Sequence, residues 1–251
     1  MNDRIDELVQ LSHEIGREDR HLAILGEGNT STRLEEGRFA VKGSGCSLGT
    51  LTAADVVACD TAKILRLMEA RTMADDALEA ALYEARLDPA GRKPSTEAVF
   101  HAWLLGLPGI EYVGHCHPVA ANQVLCSPRA RDFAERRLFP DEIVCCGPVS
   151  VFVPYADPGL PLAREIRERV GTHMQHWKTP PRLILLQNHG LIALGGTPQS
   201  VLACLLMASK AAAIFMGAAA LGGPVFLPQP QVDRIATRPD EAHRQRQLGI
   251  A

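Results

Sequence analysis

His115-Cys116-His117 is the triplet in this chain best suited to chemistry. Successive side chains of an extended strand alternate between faces, so His115 and His117 project the same way and their nitrogens can converge on one metal ion. A third histidine stands in Gln187-Asn188-His189-Gly190, after the apolar run Leu183 to Leu186, where a turn would lift it to the edge of a sheet. Three imidazoles leave one coordination position open to substrate, the usual construction of a catalytic zinc site. An H-x-H pair alone fits a core or surface role as well as a metal; the third histidine, after a second strand, favours the metal. Glu97, in Pro94-Ser95-Thr96-Glu97, begins a helix one turn ahead of His101 on the same face. An acid there complements the helix dipole. Beside a metal, the same carboxylate could abstract a proton that the metal has acidified.

Three short segments have the makings of an anion site. Gly28-Asn29, Ser44-Gly45 and Ser95-Thr96 supply hydroxyls, an amide and open backbone N–H groups, the last pair at a helix start. Lys42, just before the second bend, could add a charge to the same phosphate. Each piece taken alone is ordinary turn composition, and a lone lysine is more often solvated.

The elements that must carry these residues follow from periodicity and punctuation. Ile5, Leu8, Val9 and Ile15 recur at helical spacing and predict an opening amphipathic helix of about four turns. Leu25 to Leu34 reads as a Gly/Asn-rich bend running into a short strand, Phe39 to Lys42 as the strand pairing back, and Gly43-Ser44-Gly45 as a second tight bend. Residues 60 to 90 are helical in composition, with charge on an exposed face from Asp75 to Arg86, until Asp88-Pro89-Ala90-Gly91 breaks the pattern. Pro94 holds its predecessor extended, and Ser95-Thr96 can cap a helix running to Gly106. Strands are expected at Tyr112 to His117, stopped by Pro118, at Val149 to Val153 and at Arg182 to Gln187; a helix is expected from Pro161 to about Trp177. Thr197-Pro198 opens a long Ala-rich helix that Gly222-Gly223-Pro224 closes. No repeat or linker interrupts the pattern, so residues 1–251 read as one domain in three layers, with a polar tail from about Gln229.

Composition sets the outer bounds. The 251 residues, 46% apolar, are enough for one sizeable α/β core. A net charge of -3 and a pI near 6.3 argue against nucleic-acid or anionic-membrane partners, which demand clustered cations, and leave small molecules as the expected ligands. The acidic first residues lack the apolar core of a signal peptide, so a cytoplasmic location is expected. Val201 to Gly222, interrupted by Ser209 and Lys210, reads as a buried helix and not as a membrane span. Seven cysteines without C-x-x-C spacing are expected to be thiols, packed as small apolar side chains.

In order along the chain, Gly28-Asn29-Thr30-Ser31, Lys42-Gly43-Ser44-Gly45, Pro94-Ser95-Thr96-Glu97 with His101, His115-Cys116-His117-Pro118 and Asn188-His189-Gly190 resemble the class II aldolase/adducin family. The resemblance runs from about residue 5 to 222. It implies a three-layer α/β/α sandwich around a mixed, largely antiparallel sheet, assembled as a homotetramer with active sites between subunits. It further implies that His115, His117 and His189 hold one Zn2+, that Glu97 is the aldolase base, and that Gly28, Asn29, Ser44, Gly45, Ser95 and Thr96 bind the substrate phosphate. Gly43 stands where many members carry proline, and Thr96 where many carry a second serine. Fuculose-type members draw a proton-donating tyrosine from a neighbouring subunit after the H-x-H strand, where this chain has none between Tyr112 and Tyr155. Asp141 and Glu142 lie in that segment, and the rhamnulose-type members place an acid there; solvated loop carboxylates after Pro140 are the plainer reading.

The expected activity is therefore that of a zinc-dependent aldolase cleaving a phosphorylated keto-sugar to dihydroxyacetone phosphate and an aldehyde. A sugar-phosphate 4-epimerase or a keto-acid sugar-phosphate decarboxylase would use the same site. The epimerases of the family carry aspartate at the position of Glu97, which weighs against that branch. An adducin-like interaction module would lack the metal histidines that are present here.

Overall fold

The computed structural model describes residues 2–250 apart from Glu36 and Arg71. In chain order its helices are α1 (Asn2–Ile15), α2 (Thr61–Leu67), α3 (Asp75–Glu84), α4 (Ala98–Leu105), α5 (Val119–Leu125), α6 (Ala130–Glu135), α7 (Pro140–Cys146), α8 (Leu160–Trp177), α9 (Pro198–Ala220), α10 (Gln229–Ala236) and α11 (Pro239–Gln247). The strands are β1 (Asn29–Arg33), β2 (Arg38–Lys42), β3 (Val56–Asp60), β4 (Tyr112–Cys116), β5 (Val151–Val153), β6 (Leu183–Leu186) and β7 (Gly190–Gly195). They form one sheet in the order β3-β2-β1-β4-β7-β6-β5, antiparallel at every pairing except β5 with β6. Mixed and largely antiparallel, covered by helices on both faces, this is the expected three-layer sandwich.

Strand alternation divides the core in two. Phe39, Val41, Val113, Ile184, Leu186, Ile192 and Leu194 face the layer containing α2, α3, α4 and α8. Tyr112, Cys116, Leu183, Leu185, Leu191 and Ala193 face the layer of α1, α5, α6 and α9. His115 shares the parity of Val113 and so points towards α4, as do Asn29 and Ser31 on the neighbouring β1. Thr30 points the other way and its hydroxyl meets Ser12 of α1 at 2.6 Å.

Local signals explain several boundaries. Asp60 caps α2 by accepting from Lys63 N–H at 2.9 Å, and Thr197 caps α9 by accepting from Ser200 N–H at 3.1 Å, with Pro198 at the first helical position. Helix α9 is long and apolar enough to cross a membrane, but here it packs against β4, β7, α1, α5 and α7.

The structure departs from the sequence reading in places. Residues 60 to 90 are two helices, α2 and α3, after an unexpected strand β3 that pairs with β2. Strand β7 was not anticipated either: buried on both faces and bounded by glycines, it has no polar alternation to reveal it. The segment with Asp141 and Glu142 is the first turn of a helix and not a solvated loop. Residues 229–250 hold two helices and bury Val232, Ile235 and Ile250, so the polar tail is docked; Val232 and Ile235 pack on Ile143 and Val144 of α7.

Candidate metal centre and active site

Backbone geometry at three strand ends brings the histidines together. His115 lies in β4, at the middle of the sheet, opposite Asn29 of β1 and Ile192 of β7. His117 follows the end of that strand, its own N–H donating to the Leu22 carbonyl at 2.9 Å. β6 and β7 form a hairpin whose three-residue loop, Gln187 to His189, contains Asn188 in the left-handed region (φ 55°), which asparagine tolerates. Asn122 Nδ2 donates to the His189 carbonyl at 3.0 Å and pins the loop end. Gly190 leaves room for the neighbouring ring: a Cβ there would stand 2.6 Å from His117 Cδ2 and 2.5 Å from the Cys116 carbonyl oxygen.

The ligand nitrogens of His115, His117 and His189 all lie within 4.8 Å of one another, and the Nε2 atoms of His115 and His117 are 3.0 Å apart. Glu97 Oε1 stands 3.4 Å from His115 Nε2 and 3.5 Å from His189 Nε2, so the carboxylate closes the cluster from the α4 side. Burial acts against the charged form of Glu97, but His115 beside it and the hydrogen bond from Asn29 outweigh burial and hold the carboxyl well below its usual range. Burial likewise presses on His115, yet Glu97 wins there too and raises it. Burial, and then the neighbouring His115, bring His117 down to about 3 and His189 down to about 4. Three imidazoles packed this closely, once His115 gives up its extra proton on binding the ion, are a good donor set for zinc or a similar ion and a poor one for magnesium or calcium. The residues fit the metal.

The expected anion pieces converge beside the cluster. Gly28 takes φ 74°, and its missing side chain lets the loop pass over β4: a Cβ would lie 2.5 Å from the His115 carbonyl oxygen. Ser44 N–H donates to the Lys93 carbonyl at 2.8 Å, tying the second bend to the strand-like segment before Ser95. Gly43 N–H donates to the Asp55 carbonyl at 2.8 Å, a bond that proline at this position could not make. Ser44, Gly45 and Thr96 are exposed and free to meet a ligand. Asn29 is committed instead: its Nδ2 donates to Glu97 Oε2 at 2.7 Å and to Ser95 Oγ at 3.1 Å. Lys42 is buried, with Nζ donating to the carbonyls of Cys46 (2.7 Å) and Gly26 (3.2 Å); it joins the two bends, and burial lowers it. Helix α4 begins later than expected, with Ser95 to Glu97 as a preceding turn, and below it His101 Nδ1 pairs with Ser31 Oγ at 2.7 Å.

Asp141 and Glu142 are not brought to this cluster within the chain. Glu142 is buried, accepts from Leu138 N–H at 2.7 Å and lies 3.7 Å from the buried guanidinium of Arg137. Asp141 pairs with Arg244 of α11 at 2.9 Å. A residue the sequence reading did not single out does reach the histidines: Glu27, whose Oε2 is 3.9 Å from His117 Nδ1. An acid between two glycines in the bend before Asn29 was its only trace in the sequence.

The profile of the class II aldolase and adducin N-terminal domain matches residues 6–216, and the chain belongs to that family. The uncharacterized oxidoreductase YuxG of Bacillus subtilis is 30% identical over 204 residues; that match takes in 78% of this chain but only 27% of YuxG, so the chain spans about a quarter of that relative. A 3-oxo-tetronate 4-phosphate decarboxylase of Haemophilus influenzae is 28% identical over 191 residues, covering 74% of this chain and 76% of the enzyme. The solved N-terminal class II aldolase domain of a conserved protein from Thermoplasma acidophilum superposes with a TM-score of 0.68 at 27% identity, covering 84% of this chain and 93% of that one.

Proposed function

We propose that this protein is a metal-dependent carbon–carbon lyase that cleaves a phosphorylated keto-sugar to dihydroxyacetone phosphate and an aldehyde. The observation that carries the reading is the meeting of Glu97 with three converging imidazoles, an arrangement that serves proton transfer next to a metal-held oxygen. Zinc held by His115, His117 and His189 would supply Lewis acidity for the ketone and hydroxyl oxygens of the substrate and so favour the enediolate charge left when the carbon–carbon bond breaks. Glu97, kept ionised by its surroundings, takes and returns the proton at the carbon next to the carbonyl. Gly28, Ser44, Gly45, Ser95 and Thr96 receive the phosphate, while Lys42 adds positive charge and holds the two bends in register. Asn29 belongs to both sets, since it bridges Ser95 and Glu97.

Family membership supports a homotetramer with shared active sites, in which Asp141 or Glu142 of a neighbouring subunit would be the proton-donating acid. Their commitments to Arg244, Leu138 and Arg137 within the chain weigh against that role. The decarboxylase of Haemophilus influenzae, alike over three quarters of both chains, favours a second reading on the same residues: loss of carbon dioxide from a keto-acid sugar phosphate, with a proton drawn from solvent and passed through Glu97 to the carbon left behind.

Metal analysis of the purified protein, followed by a screen of ketose phosphates for dihydroxyacetone phosphate and of keto-acid sugar phosphates for carbon dioxide, tests the reading. One zinc per chain and one of the two products are expected, both lost in His117→Ala. Full metal occupancy in a variant lacking all three histidines would refute the site.

A further inference from the structure

A neutral imidazole that gives one nitrogen to a metal keeps its proton on the other, and that N–H needs an acceptor if the ring is to hold its angle. In His115 the requirement is met: Nδ1 faces the Leu191 carbonyl at 2.8 Å, leaving Nε2 for the cluster. His117 also turns Nε2 to the cluster, but no hydrogen bond reaches its Nδ1 among the described residues. What faces it is the Glu27 carboxylate, with Oε2 at 3.9 Å.

The loop presenting Glu27 is fastened by four hydrogen bonds. Glu27 N–H donates to the Ile24 carbonyl at 3.1 Å, and Ile24 N–H returns the bond to Glu27 Oε2 at 3.0 Å, so backbone and side chain close the same turn. Leu25 within it takes φ 56°, a conformation that costs a bulky residue energy and persists only where the surroundings enforce it. Lys42 holds the Gly26 carbonyl and His117 N–H holds that of Leu22, both within 3.2 Å. The carboxylate is therefore delivered to the rim of the histidine cluster by the chain that leads into Asn29, and a closure of about 1 Å would bring it to hydrogen-bonding distance of Nδ1.

We infer that Glu27 is a positioning residue of the metal centre: it accepts the Nδ1–H of His117 and fixes the tautomer and ring orientation in which Nε2 binds the ion. The inference rests on the three-histidine metal site proposed above, but not on the identity of the reaction. It also makes the loop from Leu22 to Gly28 part of the metal site, since that loop carries both this acceptor and the glycine that clears His115.

Zinc affinity of the full chain, measured by competition with a chromophoric chelator, separates this role from the alternatives. Glu27→Ala is expected to bind zinc roughly 10- to 100-fold more weakly than the parent, the range seen when an outer partner of a metal-binding histidine is lost. Glu27→Gln retains a neutral acceptor and is expected to recover part of that loss, with the thermal midpoint of the metal-free protein unchanged in Glu27→Gln and lowered only slightly in Glu27→Ala, which gives up the exposed bond from Ile24 N–H. In the cobalt-substituted protein the visible absorption bands should shift in Glu27→Ala. Affinity within twofold of the parent in both variants would overturn the inference, as would a weakened KM for substrate with unchanged metal affinity, which would make Glu27 a substrate contact. A loss of affinity matched by a fall in the metal-free thermal midpoint would reduce Glu27 to a turn-closing residue and overturn it as well. A parent that binds no zinc, or a His117→Ala variant that binds as well as the parent, would instead remove the metal centre itself.

Discussion

Glu97 and Glu142 are both held in the interior beside cationic or ionisable partners, yet they are used in opposite ways. At Glu142 the partners are complete: one oxygen accepts the Leu138 N–H, and the other faces Arg137, which itself donates to the Gly147, Ala134 and Arg136 carbonyls and to Ser150 Oγ. Burial raises Glu142, and the nearby Arg137 and backbone N–H groups oppose that shift only in part. At Glu97 the partners are incomplete. Asn29 orients one oxygen and the other faces two imidazole nitrogens at more than 3.3 Å, while Asn29 Oδ1 and His101 Nε2 remain buried without a hydrogen-bond partner among the described residues. Unpaired buried polar atoms cost stability, so a fold tends to keep them where a ligand will complete them. Chemistry is to be sought where a buried acid has something left to bind.

The largest expected effect tests the Glu97 side of this contrast. Glu97→Gln should keep the fold and the metal while turnover falls by roughly two to four orders of magnitude, as expected for losing a positioned general base. Solvent exchange of the dihydroxyacetone phosphate proton should fall in parallel. Exchange at the parent rate would place the base elsewhere.

The Glu142 side should answer in stability and not in chemistry. Glu142→Ala removes a backbone acceptor and the partner of a buried guanidinium, and is expected to cost about 2–4 kcal/mol in urea unfolding, with turnover per folded molecule unchanged in the absence of a subunit-bridging role. A large turnover loss at full stability would instead revive it as the acid supplied to a neighbouring site.

Acid should separate the two regions further. His101 and His117 are lowered to about 3 and His189 to about 4, by burial above all, so the folded metal-free protein binds fewer protons than the unfolded chain below about pH 6.5. Its stability should therefore fall as pH drops from about 6.5 towards 4.5. His115, raised by Glu97 against burial, and Glu142, raised by burial, work in the opposite direction, but they are two groups against four once His173, also lowered by burial, is added to the three histidines above. Glu97 adds its own loss only below the ordinary carboxylate range. Thermal melts of metal-free protein across this window should show a steady decline; a flat or rising midpoint would mean that the histidines are charged in the fold.

The smallest effect belongs to Asp141. Its pair with Arg244 is exposed on both sides, and Asp141→Asn should change stability by about 0.5 kcal/mol or less. A larger change would mark the docking of α11 as a cooperative part of the fold.

Much of the site was legible because its signals are local. The apolar run before Gln187 places His189 at a strand end, as found; strand alternation predicts that His115 and His117 meet, and their Nε2 atoms lie 3.0 Å apart although β4 ends at Cys116, one residue short of the expected strand. The small-residue bends at Gly28 and Ser44 are punctuation of the same kind, readable over a few residues, whereas the expected cap at Ser95-Thr96 is a turn before α4, which starts after Glu97 without a side-chain cap. Strand β7 was illegible because burial on both faces erases the period on which a strand is recognised. The docked tail was illegible because Val232 and Ile235 are too few to announce a buried face without the α7 surface they meet.

What the sequence by itself determined is the set of residues: three imidazoles, one acid at a helix start and three small-residue bends proposed to receive the phosphate, in an order that identifies the family. Tertiary structure decided which acids are available. Glu27, Glu97, Asp141 and Glu142 are alike as residue types, and each sits in a turn or a helix start. Only the folded chain leaves Glu97 and Glu27 facing histidines while Arg137, Leu138 and Arg244 occupy the other two. The physical reason is that a carboxylate's role is set by the charges and donors within a few ångströms, and those come from positions up to 103 residues away, as with Asp141 and Arg244.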